Sequence, residues 1–112
     1  MGLSEDEFRE KAESALVELD QAFSRLANKH DLDADMAEGV LKVDFEEPEH
    51  SVFVISSNAP ARQIWVSARL SSFKFDWREE GQRWVLHGSE ESLREVLQRL
   101  SRDQLSDPSL TL

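Results

Sequence analysis

Apolar residues in the first quarter of the chain recur every three or four positions, and further on the rhythm changes to alternation. The first rhythm predicts an amphipathic helix over about residues 4–28, with a stripe running from Phe8 through Ala12, Leu16, Leu19 and Phe23 to Leu26. Ser4 with Glu7 three positions on reads as a capping box, and Glu5, Asp6 and Glu7 suit the positive end of a helix dipole. Glu10, Glu13 and Asp20 fall on the opposite, wet side.

The middle of the chain, about 39–87, predicts strands. Leu41, Val43 and Phe45 alternate with Lys42, Asp44 and Glu46, so one face is buried and the other solvated. Pro48 ends that run, and Val52-Phe53-Val54-Ile55 leads into the turn formers Ser56-Ser57-Asn58-Ala59-Pro60. Gln63 to Ser67, Phe73 to Trp77 and Trp84 to Leu86 continue the pattern, and their short connections require antiparallel pairing. A second helix is predicted over about 90–103, capped by Ser89, with Glu90 and Glu91 in its first turn. Its buried stripe is Leu93, Val96, Leu97 and Leu100, with Arg99 and Arg102 at the C-terminal end. Leu105, Leu110 and Leu112 are expected to pack the tail back on the domain.

Helix, then five or six antiparallel strands, then helix predicts an α+β two-layer sandwich forming a single domain over residues 1–112. Both helices cover one face of the sheet, and the other face looks at solvent. On that open face Trp65 is the most informative residue. With Ile64 and Val66 in the core, Trp65 points outward together with Gln63 and Ser67. Such an aromatic is either a binding hot spot or part of a local surface cluster with a neighbour such as Val54. Alternation does not choose between the two.

Charge narrows the partners. The net charge of −10 sits entirely in residues 1–50, which hold 15 acids and 5 bases, whereas residues 51–112 hold 8 of each. This asymmetry argues against nucleic acid or an anionic membrane and favours cations or a basic protein surface, although acidity also serves plain solubility. The chain has no cysteine, which excludes disulfides and thiolate ligation. No apolar run is long enough to span a bilayer, and the acidic start does not read as a leader. A bacterial cytoplasmic protein is expected, or else a processed form from the mitochondrial matrix.

Two groups of carboxylates could hold a hard cation. Asp31, Asp33, Asp35 and Glu38 lie between the first helix and the strands, and Glu10, Glu13 and Asp20 lie on the helix. The Asp-x-Asp-x-Asp run begins like a calcium loop, but Met36 follows Asp35 where a glycine is needed, so any site is shallow and exposed, and a solvated acidic face is the plainer reading. His30 adjoins the acidic segment and reads either as an extra ligand or, more plainly, as a surface residue near a helix C-terminus, and His50 and His87 have no evident partner. Catalytic signatures are missing: no Gly-x-Ser-x-Gly, no glycine-rich phosphate loop, no His-Glu-x-x-His.

Gly39-Val40-Leu41-Lys42-Val43, Val54-Ile55, Pro60-x-x-Gln63-Ile64-Trp65-Val66-Ser67, Phe75-Asp76-Trp77, Trp84-Val85 and Ser92-Leu93 together resemble the frataxin family, in order and spacing, over about Ser4 to Leu100. The Pro-x-x-Gln-Ile-Trp run is the most specific piece. The resemblance implies the same α-β-α sandwich and a role as an iron-binding accessory of iron–sulfur cluster assembly. It implies weak binding of Fe2+ and Fe3+ at surface carboxylates and docking on the complex of cysteine desulfurase and scaffold protein. Partner contacts are then expected at Trp65, Gln63, Ser56 and Asn58, with Val54 and Ser67 beside them. Family members usually carry an acidic ridge on the second half of the first helix, but Gln21, Ser24, Arg25 and Asn28 stand there. Iron is therefore expected on Asp31, Asp33, Asp35, Glu38 and Asp44, with Glu10, Glu13 and Asp20 as helix candidates. Two other functions remain open: a ferroxidase that stores iron in oligomers, as attributed to some family members, and an interaction module that has kept the fold and lost iron. A monomer is expected, with iron-dependent oligomers as the variation.

Overall fold

The computed structural model describes residues 3–112. Helix α1, Glu5–Leu26, starts at the expected capping box: Ser4 Oγ accepts from the Glu7 amide at 3.1 Å, and Glu7 Oε1 accepts from the Ser4 amide at 3.0 Å. Two orphan donors are thus satisfied at once. The stripe from Phe8 to Leu26 is buried throughout.

Six strands follow, β1 Leu32–Ala37, β2 Val40–Phe45, β3 Ser51–Asn58, β4 Gln63–Ala68, β5 Ser71–Arg78 and β6 Arg83–Leu86. They pair antiparallel in chain order, a plain meander. Strand β1 corrects the expectation that sheet begins near residue 39. Leu32, Ala34 and Met36 alternate with Asp33 and Asp35, and this period of two is hidden by the small alanine and the weight of acids around it. The acidic segment is therefore an edge strand, and inward residues at an edge need bury only lightly.

Helix α2, Leu93–Leu105, starts later than the pattern suggested. Its cap is Ser92 rather than Ser89, with Ser92 Oγ accepting from the Glu95 amide at 3.2 Å and Glu95 returning the bond at 2.9 Å. Glu90 and Glu91 precede the helix and pair with Arg78 and Arg99 instead of filling its first turn. Ser92 also forms a bridge to Val85, so the chain is still tied to the sheet where Ser89 was expected to release it.

Both helices lie on one face of the sheet, as the two stripes require. Phe45 joins the layers, packing edge-on to Phe23 of α1 at 6.4 Å and tilted against Phe53 of β3 at 4.6 Å. Leu41, Val43, Ile55, Ile64 and Phe75 are all fully buried on this face. The tail packs back as expected through buried Leu110, and Arg102 donates to the Leu110 carbonyl at 2.7 Å. His30 is not a free surface residue: its ring lies 3.2 Å from Glu47 and 3.3 Å from Asp107, joining the end of α1 to the β2–β3 connection and the tail.

The cap assignment is directly testable. Ser92→Ala should lower stability by about 1 kcal/mol in urea unfolding, and Ser89→Ala should cost less. The reverse ranking would put the start of α2 where the sequence pattern placed it.

Candidate functional site: the open face of the sheet

Because side chains alternate along a strand, burying Ile64 and Val66 turns Gln63, Trp65 and Ser67 to the uncovered face. The register then lines up residues across the sheet. Ser56, Trp65 and Lys74 form one row, Lys42, Val54 and Ser67 the next, and Asn58, Gln63 and Asp76 the row on the other side. All six residues expected to meet a partner thus share one patch of β3 and β4. Trp65 is 37% exposed. Its direct neighbours across the strands are Ser56 and Lys74, and Val54 stands one row along, opposite Ser67.

Trp65 is oriented by a chain of hydrogen bonds. Its indole N–H donates to Gln63 Oε1 at 2.9 Å, and Gln63 Nε2 donates to Asp76 Oδ1 at 2.9 Å. Asp76 Oδ2 lies 2.7 Å from His87 Nδ1, which supplies the partner that His87 lacks in the sequence pattern. Lys74 Nζ stands 5.1 Å from the centre of the Trp65 ring, a cation–π contact that occupies one side of the indole. Burial pushes the Asp76 carboxyl up, but the hydrogen bonds from Gln63 and His87 and the charge of His87 outweigh it and hold the group below its ordinary value.

The expected metal residues do not form one cluster. Asp33 faces Asp44 directly across the β1–β2 ladder, whereas Asp35 faces Lys42. Glu38 sits in the β1–β2 turn and lines a groove with Glu13 and Asp20 of α1, which Arg9 also enters. Glu10 is exposed on α1 outside that groove, and Asp31 is exposed just before β1. Gln21, Ser24, Arg25 and Asn28 are exposed, leaving a neutral to basic stretch at the end of α1.

Among the described residues, Asp44, Glu46 and His50 each bring a ligand atom within 4.8 Å of the others. Asp44 Oδ1 lies 2.8 Å from His50 Nε2, yet no aligned hydrogen bond reaches this oxygen and it is closed to solvent. With His50 Nε2 as its close neighbour this oxygen still has room for a further partner, and a cation shared by Asp44, Glu46 and His50 would use it. Glu46 was legible as the outward position after Asp44. His50 was not, since only the folded β2–β3 connection returns it to Asp44.

These features define a two-layer α/β sandwich whose uncovered sheet face carries an oriented tryptophan and, toward the β2–β3 end, a carboxylate–histidine group. Residues 1–107 match the family model described as a frataxin-like domain. The chain belongs to the frataxin family. It is 35% identical over 104 residues to the iron–sulfur cluster assembly protein CyaY of Pseudomonas fluorescens, covering 93% of this chain and 91% of that one. To the protein of the same name from Azotobacter vinelandii it is 36% identical over 109 residues, covering 96% and 94%. A solved frataxin from Psychromonas ingrahamii shares the fold with a TM-score of 0.78 at 19% identity, covering 91% of each chain.

The lowered carboxyl of Asp76 has a pH signature. Stability from its hydrogen bonds is fully present above the unfolded-state value of about 3.9 and is lost as pH falls through the lower folded value. Urea midpoints measured from pH 6 down to pH 3 should therefore fall less steeply in Asp76→Asn than in the unaltered protein. Parallel curves would show that the carboxylate has no such role.

Proposed function

We propose that this protein is an iron-binding accessory of iron–sulfur cluster assembly, working in the bacterial cytoplasm and docking through its open sheet face on the complex of cysteine desulfurase and scaffold protein. The observation that carries the reading is Trp65. It is a large aromatic left uncovered in the middle of a sheet, yet held in one orientation by Gln63 and Asp76. A preorganised aromatic at low entropic cost is what a docking hot spot requires. The names of the curated relatives supply the process.

Fe2+ and Fe3+ are its cargo. Oxygen ligands with one imidazole suit ferrous iron, and Asp44, Glu46 and His50 offer that set, with Asp33 across the ladder from Asp44. Asp35 lies along the same strand as Asp33 and Asp31 just before it, and the carboxylates of Glu10, Glu13, Asp20 and Glu38 belong to α1 and the hairpin tip. The exposed Gln21, Ser24, Arg25 and Asn28 favour a second reading, an interaction module with the same docking face and no iron.

Two measurements test these readings. Trp65→Ala should weaken binding to the desulfurase–scaffold complex by roughly 1–3 kcal/mol with the melting temperature little changed, and undiminished affinity would remove Trp65 from the interface. Anaerobic titration with Fe2+, followed by amide NMR, should broaden signals around Asp44, Glu46 and His50 selectively, and Asp44→Ala with His50→Ala should abolish this. Broadening at Glu13, Asp20 and Glu38 would move the iron to the helix groove. No selective broadening would leave the interaction module.

A further inference from the structure

The β4–β5 connection is a two-residue hairpin turn made of Arg69 and Leu70, with φ of 50° and 65°. Positive φ at both central positions is the signature of the hairpin turns whose twist matches the strands, and it favours glycine or asparagine because a Cβ is crowded there. The β1–β2 turn of the same length obeys the rule with Gly39 at its second position. The β4–β5 turn puts a leucine in the corresponding place. That leucine is fully exposed, so it makes no packing contact that would offset the strain.

The turn is also braced. Arg69 Nη1 donates to Gln104 Oε1 at 2.7 Å, and the Gln104 amide nitrogen donates to the Glu49 carbonyl at 3.0 Å and the Glu47 carbonyl at 3.4 Å. Gln104 is one of two buried polar side chains among the described residues. A buried amide of α2 thus ties the hairpin tip to the β2–β3 connection, and Leu70 is held out from a fixed base. Val52, also exposed, lines a shallow groove with Leu70, Arg69, Glu49 and His50. Of the four large apolar side chains exposed among the described residues, Val52, Trp65 and Leu70 lie on this face or at its end, and only Val17 lies elsewhere.

We infer that Leu70 is a second anchor of the docking surface, inserted into an apolar pocket of the partner that is bordered by basic side chains. The pocket must be apolar because Leu70 offers only hydrocarbon. The basic border follows from charge: Glu49 lines the groove and Asp44 and Glu46 stand by His50, so three carboxylates outnumber the one guanidinium, Arg69, beside the tip. The inference rests on the open face being the docking surface, and it lengthens that surface from Trp65 to the β4–β5 tip.

The test pairs stability with binding in the full chain. Leu70→Gly should keep or raise the melting temperature, since glycine takes positive φ freely, and should weaken binding to the desulfurase–scaffold complex about tenfold. Leu70→Asn should behave alike, and Leu70→Met should retain most of the affinity. If Trp65→Ala weakens binding and both Leu70→Gly and Leu70→Asn do not, Leu70 is no anchor and the docking face stands without it. If neither position matters, or the unaltered chain does not bind, the docking reading falls and this inference with it. A lower melting temperature in Leu70→Gly would show that the leucine serves the fold, and would also overturn it.

Discussion

A single antiparallel sheet covered on one side only is the constraint from which the rest of this protein follows. Its strands alternate, so every residue that enters the core sends its neighbours to the uncovered face. The two helix stripes and the sheet's inner residues meet in one core, with Phe23, Phe45 and Phe53 in contact through it. Once Ile64 and Val66 are fixed in that core, Trp65 has no freedom to turn inward. A shift of one residue in β4 would exchange the two sets and expose the core instead.

The open face is ordered by polar contacts rather than by packing. Trp65, Gln63, Asp76 and His87 form one hydrogen-bonded chain across β4, β5 and the residue after β6. Lys74 lies over the indole. Such a network holds a side chain still without hiding it, which lowers the entropy lost on binding. Toward the β2–β3 end of the same face, Asp44 Oδ1 and His50 Nε2 approach to 2.8 Å without an aligned hydrogen bond, so no such network orders this pair.

The polar residues of α2 serve this face from behind. Gln104 is buried, and both ends of its amide are used, one on Arg69 and the other on the carbonyls of Glu47 and Glu49. It therefore couples the β4–β5 tip to the connection that carries His50. His30 makes a comparable tie at the end of α1, between Glu47 and Asp107. The connections at this end of the sheet are thus held by side chains distant in sequence.

By itself the amino-acid sequence determined the two helices, the antiparallel sheet, the face each residue takes and the outward position of Trp65. These depend on local periodicity, capping residues and the alternation of neighbours, all of which are properties of short segments. Even so, β1 escaped notice because Ala34 and two aspartates dilute its alternation, and Ser89 stood in for Ser92 because Glu90 and Glu91 follow it directly, whereas the acid that closes the box, Glu95, lies three positions after Ser92. Tertiary structure alone decided which acids meet. It paired Asp33 with Asp44 and Asp35 with Lys42, sent Glu13, Asp20 and Glu38 to a separate groove, and brought His50 back to Asp44. Strand register and loop return join residues through space, and no spacing along the chain encodes those distances.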